Sequence, residues 1–191
     1  MVVLAVMLTV VQAATVFAYM GGPIRAQIDG FEPTEHKVFY HLFFHDESGT
    51  PPQVFYFNLD APEPTRPTRA RSLEQPDQPG WGNIDPVAWK KVSKRLIRMR
   101  GLDEFEITLS VKADYVGVDS ALGCARYQLR ATILSGAMSR AIDLAVFGEP
   151  LVRVCGVYEI PGRRELLVVI SYQGRAYGCE EIDLPVLIPA E

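Results

Sequence analysis

Residues 124–134 read CARYQLRATIL, and their parity decides the fold. Tyr127, Leu129, Ala131 and Ile133 fall on one side of an extended chain, and Arg126, Gln128, Arg130 and Thr132 fall on the other. A period of two that separates apolar from polar residues marks a half-buried strand. Towards the N-terminus, EFEITLSVK (104–112) repeats the pattern, with Phe105, Ile107, Leu109 and Val111 inward against Glu104, Glu106, Thr108, Ser110 and Lys112 outward. Towards the C-terminus, AIDLAVF (141–147) and LVRVCGVYEI (151–160) continue the series, and IPGRRE (160–165) turns the chain into LLVVISYQG (166–174). That last run is apolar without a break, which implies a central strand covered on both faces. EIDLPVLIP (181–189) closes the chain, and Pro185, which has no N–H to donate, implies an edge position. Strands in close succession without intervening helices predict an antiparallel sheet folded on itself as a sandwich or partly open barrel, in a mostly β member of the α+β class. A partial β-propeller is the rival architecture, suggested by the hairpin ending FYFNLDAPEP (55–64), although no repeat of about 40 residues runs through the chain.

Farther upstream the patterning changes. Asp85 can cap a helix, Pro86 suits its first position and Gly101 its stop, while Arg98 and Arg100 suit the negative end of its dipole. Trp89, Val92, Leu96 and Met99 form one apolar stripe, so one amphipathic helix is predicted over 85–100. Before it, APEPTRPTRARSLEQPDQPGWGN (61–83) carries prolines that forbid a central strand or long helix, so 61–84 is read as a crossing that wraps the surface or tethers two lobes. KVFYHLFFH (37–45) and QVFYFNLD (53–60) are rich in aromatic and β-branched residues around DESGTPP, and predict a hairpin over 37–60. This hairpin and the helix are expected to pack on the sheet of 104–188, giving one β-rich domain over 19–191.

The first 23 residues, MVVLAVMLTVVQAATVFAYMGGP, contain no charged side chain. Small residues at Val11/Ala13 and Val16/Ala18 fit cleavage of a signal peptide after Ala13 or Ala18, although no basic residue precedes the apolar run. The alternatives are an uncleaved anchor, since about 20 apolar residues just cross a bilayer as a helix, and a buried core helix. Residues 1–18 are therefore read as a signal peptide or membrane anchor, and the chain as exported, periplasmic or extracellular. The three cysteines form no C-x-x-C. Cys124 in LGCA and Cys179 in YGCE each follow a glycine near a strand end, whereas Cys155 lies mid-strand, so the first two are the preferred disulfide pair. Closing their loop stabilises the fold by about 4 kcal/mol on the chain-entropy account; three unpaired buried cysteines are the alternative.

Nineteen Lys and Arg against 23 Asp and Glu give a net charge of -4, which offers no general attraction to nucleic acid. All three histidines lie in EHKVFYHLFFHDESG (35–49). On a helix His41 and His45 would share a zinc-binding face, but the aromatics make this a strand, on which four residues span about 13 Å and one ion cannot bridge them. His36 falls on the opposite face, and Asp46 and Glu47 begin the turn. His41 and His45 remain metal candidates only with ligands from elsewhere, and no cofactor is implied. Lys90, Lys91, Lys94, Arg95 and Arg98 make the helix basic, so its polar face is either a seat for an anionic partner, such as membrane headgroups or an acidic protein, or simply a solvated face. Glu180, Glu181 and Asp183 beside Cys179 are expected on the surface. Neither a P-loop nor G-x-S-x-G nor G-x-G-x-x-G is present.

The order of these features, with YEIPGRRELLVVISYQGRAYGCEE at 158–181, resembles bacterial predicted secreted proteins of unknown function. The resemblance implies export and assigns no site residue. In place of the aromatic and glycine-rich stretch of such tails, this chain has GRAYGCEE. The functional expectation is an exported, non-enzymatic binding or structural module with a protein or envelope partner, touching a membrane only if residues 1–18 are retained. Two alternatives stand beside it: a metal-dependent or hydrolytic enzyme using a histidine of 36–45, and a membrane-anchored accessory subunit.

Overall fold

Every alternating segment downstream of residue 107 forms a strand in the computed structural model of the chain, which describes residues 22–45, 49–75, 83–102, 107–175 and 179–189. They are β6 (Thr108–Asp119), β7 (Cys124–Ser135), β8 (Met138–Phe147), β9 (Val152–Glu159), β10 (Leu166–Gln173) and β11 (Glu181–Ile188). Before them come β1 (Ile24–Glu32), β2 (Lys37–Phe44), β3 (Gln53–Asn58), β4 (Thr68–Arg69), the helix α1 (Pro86–Ser93) and β5 (Arg100–Gly101). The readings of residues 1–18, of Asp46 and Glu47, and of Phe105 fall outside the described residues.

Two sheets result. One has eight strands in the order β4-β3-β2-β1-β11-β10-β9-β5, and the other three in the order β6-β7-β8. The mostly antiparallel sandwich predicted from parity is therefore present, and successive propeller blades are not what these strands build. The 37–60 hairpin is placed differently from expectation. It does not pack on the C-terminal sheet but belongs to it, because β1 pairs with β2 on one side and, in parallel, with β11 on the other. Conversely, β6, β7 and β8 leave that sheet and cover one of its faces.

Strand β10 shows what holds the layers together. Leu166, Val168 and Ile170 join the core shared with Leu129, Ile133 and Val146 of the small sheet. Leu167 points the other way, into a core with Phe31, Val38, Phe57 and Leu187. Each side chain of this kind contributes roughly 1.5–3 kcal/mol by leaving water, so an apolar run with no alternation is what a strand between two cores requires. The large sheet thus curls around the second core while the small sheet lies on its other side. Pro185 sits inside the sheet order rather than at its edge, yet the ladder from β11 to β1 is confined to Ile24↔Ile182, so the proline falls beyond it. Strand β6 overhangs the core: Leu109 packs against it, but Val111 and Tyr115 are exposed, the latter by 61%, contrary to the inward reading of Val111.

The helix begins as predicted, with Asp85 Oδ1 accepting from the Val87 N–H at 2.8 Å and Pro86 in the first turn. It ends at Ser93, well short of 100. The reason is competition from β1: Ile97 exchanges backbone hydrogen bonds with Phe31, at 2.8 and 2.9 Å, and pulls the following residues into extended chain. A Cβ on Gly30 would lie 2.6 Å from the Ile97 carbonyl oxygen, so this approach requires glycine. The apolar stripe is split accordingly. Trp89, Val92 and Leu96 cover Phe39 and Val54, whereas Met99 reaches the core behind them. Arg98 and Arg100 lie beyond the helix and do not act on its dipole.

Candidate functional site

Three polar clusters are built by these elements. The first follows from a bulge in β1, where the register with β2 shifts between Ile28 and Gly30. Asp29 thereby lies beside His41, and its Oδ2 is 2.6 Å from His41 Nδ1 with both side chains buried. The ring of Trp89 meets His41 edge-on at 4.8 Å, and Phe43 stacks near it at 5.8 Å. A carboxylate on one imidazole nitrogen fixes the ring and its tautomer. At 6% exposure, however, His41 is buried among these neighbours and does not open to solvent. His45 lies past the end of β2 on the surface, its N–H bonded to the Pro23 carbonyl. His36 occupies the turn between β1 and β2 at φ 50, with Nδ1 2.6 Å from Asp60. The three histidines thus have separate surroundings, and among the described residues no three His, Cys, Asp or Glu converge as a metal site would need.

The second cluster lies where β1, β9, β10 and β11 meet. Glu181 and Asp183, two apart on β11, share a face, and both bind Arg25 of β1, at 2.5 and 3.3 Å. Arg153 of β9 also pairs with Glu181, and Ser171 Oγ donates to it at 2.8 Å. The Arg25 hydrogen bond, aided by Ser171 and by the charge of Arg153, holds the Glu181 carboxyl below the usual glutamate range. Burial pushes the neighbouring Tyr172 hydroxyl up. The surface placement expected of the acidic patch fails at Asp183, which is 8% exposed because Arg25 and the Ala26 N–H supply its partners. Beside this cluster Cys124 and Cys179 are disulfide-bonded with Cα atoms 6.9 Å apart, the pair preferred from sequence. The bond ties the start of β7 to the approach to β11, and Arg175–Asp119 at 3.4 Å adds a second tie between the sheets. Cys155 is free and exposed, at the point where the register of β9 against β10 slips.

The third cluster is at the opposite end of the sandwich. The β7–β8 turn and the β9–β10 turn, with β5 beside them, enclose a cleft of about 580 Å³. Arg100, Glu159, Arg163 and Arg164 line it on the polar side, and Leu102, Met138 and Leu166 on the apolar side. Ser135 also lines it, and its hydroxyl is buried without a hydrogen-bond partner among the described residues. Arg100 pairs with Glu159 at 2.9 Å, and Arg163 with Glu165 at 3.1 Å and Asp60 at 3.8 Å.

The basic helix places its candidates unevenly. Lys90, Lys91, Lys94 and Arg98 are exposed, but Arg95 turns back to Glu35 at 3.3 Å and to Glu32 at 3.6 Å. Glu32 is fully buried, so this cation serves the fold. The residues of the cleft are scarcely marked in the sequence. IPGRRE carried a signal in its adjacent arginines, and Arg140 breaks the apolar parity of Met138, Ile142 and Leu144. Ser135 gave none, because one serine at a strand end is ordinary. No protein-family model, no curated protein and no solved structure matches the chain.

Proposed function

We propose that this chain is an exported, disulfide-tied β-sandwich that acts as a binding module and seats its ligand in the cleft beside Ser135. The observation that carries the reading is the cleft itself, because small-molecule sites are concave, of about 300–1,000 Å³, with an apolar lining and a few directed polar groups. Its volume of about 580 Å³ falls in that range, as do the clefts of about 440 Å³ beside Cys155 and about 360 Å³ beside Ser171. What singles it out is the buried Ser135 hydroxyl, unpaired among the described residues. Export is supported by the uncharged residues 1–18, by the likeness of 158–181 to predicted secreted proteins, and by the Cys124–Cys179 bond, since disulfides persist in oxidising compartments. A fragment mixture titrated into labelled protein should shift the amide resonances of 135–138 and 163–166. Shifts scattered elsewhere, or none, would overturn the placement. Intact mass after expression in a secreting host tests the compartment: a mature chain beginning at Ala14 or Tyr19 supports export, and a retained N-terminus supports the anchored accessory subunit.

The Asp29–His41 pair favours a second reading, a hydrolytic or metal-dependent enzyme acting through His41. Metal analysis decides it. A stoichiometric transition metal lost in His41→Ala or His45→Ala would replace the binding module with this reading.

A further inference from the structure

The inference rests on the binding-module reading and names the ligand class. Three arginines and one glutamate line the cleft, in a chain whose net charge is -4. The positive lining is therefore a local reversal of sign. Arg100 and Arg163 are held by carboxylates, but Arg164 is exposed and has no ion-pair partner among the described residues. Beneath them Ser135 is 1% exposed, and its hydroxyl has no hydrogen-bond partner among the described residues. Two residues along β8 from Met138, and so on the same face, the Arg140 Nε is likewise buried without a partner. Native proteins rarely bury polar atoms unpaired. Arg140 does not line the cleft, so Ser135 is the unpaired group that faces it. Its hydroxyl can turn to donate, and beside the arginine donors the group that answers it is an acceptor. Guanidinium groups prefer a planar or multidentate anion. The other wall, Leu102, Met138 and Leu166, has no polar side chain and fits a short hydrocarbon.

We infer that the cleft binds a small amphiphilic anion, its carboxylate or phosphate head between Arg164 and Ser135 and its apolar tail on Leu102, Met138 and Leu166. Isothermal titration of the intact, oxidised chain with hexanoate, hexyl phosphate, inorganic phosphate and hexanol tests it. One-to-one binding is expected for at least one of the two amphiphiles, at least about tenfold tighter than for inorganic phosphate or hexanol, a gap of about 1.4 kcal/mol. Whichever head binds more tightly identifies the head group. Arg164→Gln should weaken that binding about tenfold and Ser135→Ala several-fold, while Lys91→Gln on the distant helix should leave it unchanged; all three positions tolerate the change without loss of a native bond. Hexanol binding as tightly as the anions would overturn the inference and leave the binding module standing. Equal affinity in the wild type, Arg164→Gln and Ser135→Ala would overturn it by placing the anion elsewhere. Absence of binding by every probe at tens of millimolar would overturn it as well, and the fragment-mapped amides then judge the module by themselves.

Discussion

Ser171 and Ser135 are each 1% exposed, and they sit at opposite ends of the same sandwich. Ser171 donates to a carboxylate that two arginines also bind, in a region tied by the disulfide and by Arg175–Asp119. Ser135 has no hydrogen-bond partner among the described residues; a cleft of about 580 Å³ opens beside it, and a smaller one of about 360 Å³ borders Ser171. At one end the buried hydroxyl is paired within the chain, and at the other the buried Ser135 hydroxyl and the exposed Arg164 have no partner among the described residues. The contrast separates a region that secures the two sheets from the region proposed to seat a ligand. Folding alone explains the first, but it gives no account of an unpaired hydroxyl in the second.

The largest effect that tests this contrast should come from the disulfide. Cys124→Ser with Cys179→Ser opens a loop of 55 residues and should cost about 4 kcal/mol on the chain-entropy account. Urea unfolding with and without reductant measures it. A loss below about 1 kcal/mol would mean that the tied end is held by its other contacts.

Next in size is Arg25→Gln. It leaves Asp183, nearly buried, with only the Ala26 N–H, and weakens the binding of Glu181. A buried acceptor that loses its partner costs about 1–3 kcal/mol, to be read from the shift in the urea midpoint. The same cluster predicts an acid limb. The Glu181 carboxyl is held low in the folded chain, so its contribution is complete above the ordinary glutamate range and disappears as the pH falls through the lowered value. Stability between pH 6 and about pH 3 should decline more steeply in the wild type than in Glu181→Gln. Parallel declines would remove Glu181 from the account.

How much of this contrast could be read from sequence depends on which interactions are local. The strands of the small sheet were legible because Tyr127, Leu129, Ala131 and Ile133 bury one face and leave the other wet. The apolar run of β10 gave its central place for the same reason. Strand β1 was passed over because Asp29 and Gly30 interrupt it, and both are there for distant partners: Asp29 for His41, Gly30 for the Ile97 carbonyl. The overlong helix failed through that same Ile97, whose pairing with Phe31 outweighs a helical periodicity that continued to Met99. The clusters were harder still. Arg25 and Glu181 are separated by 156 positions, so nothing in either neighbourhood announces the pair. The cleft is assembled from three turns or strand ends, and its most informative atom, the Ser135 hydroxyl, is notable only for what it does not touch.

The smallest predicted effect is also the sharpest comparison, because the same substitution is made at both ends. Ser171→Ala deletes a hydrogen bond to an ionised carboxylate and should destabilise the fold by roughly 1.5–3 kcal/mol, lowered towards about 1 kcal/mol because Glu181 keeps its two arginines and some contact with water. Ser135→Ala deletes a buried hydroxyl that has no partner to lose. Removing its desolvation penalty should leave stability unchanged or raise it by up to about 1 kcal/mol, with little cavity formed because only one atom goes. Paired thermal and urea melts of the two variants, without ligand, decide the matter. If Ser135→Ala proves as costly as Ser171→Ala, the Ser135 hydroxyl already has a partner within the folded chain, and the two ends are alike. If it is neutral in the free protein yet weakens an anion, the hydroxyl serves recognition rather than folding.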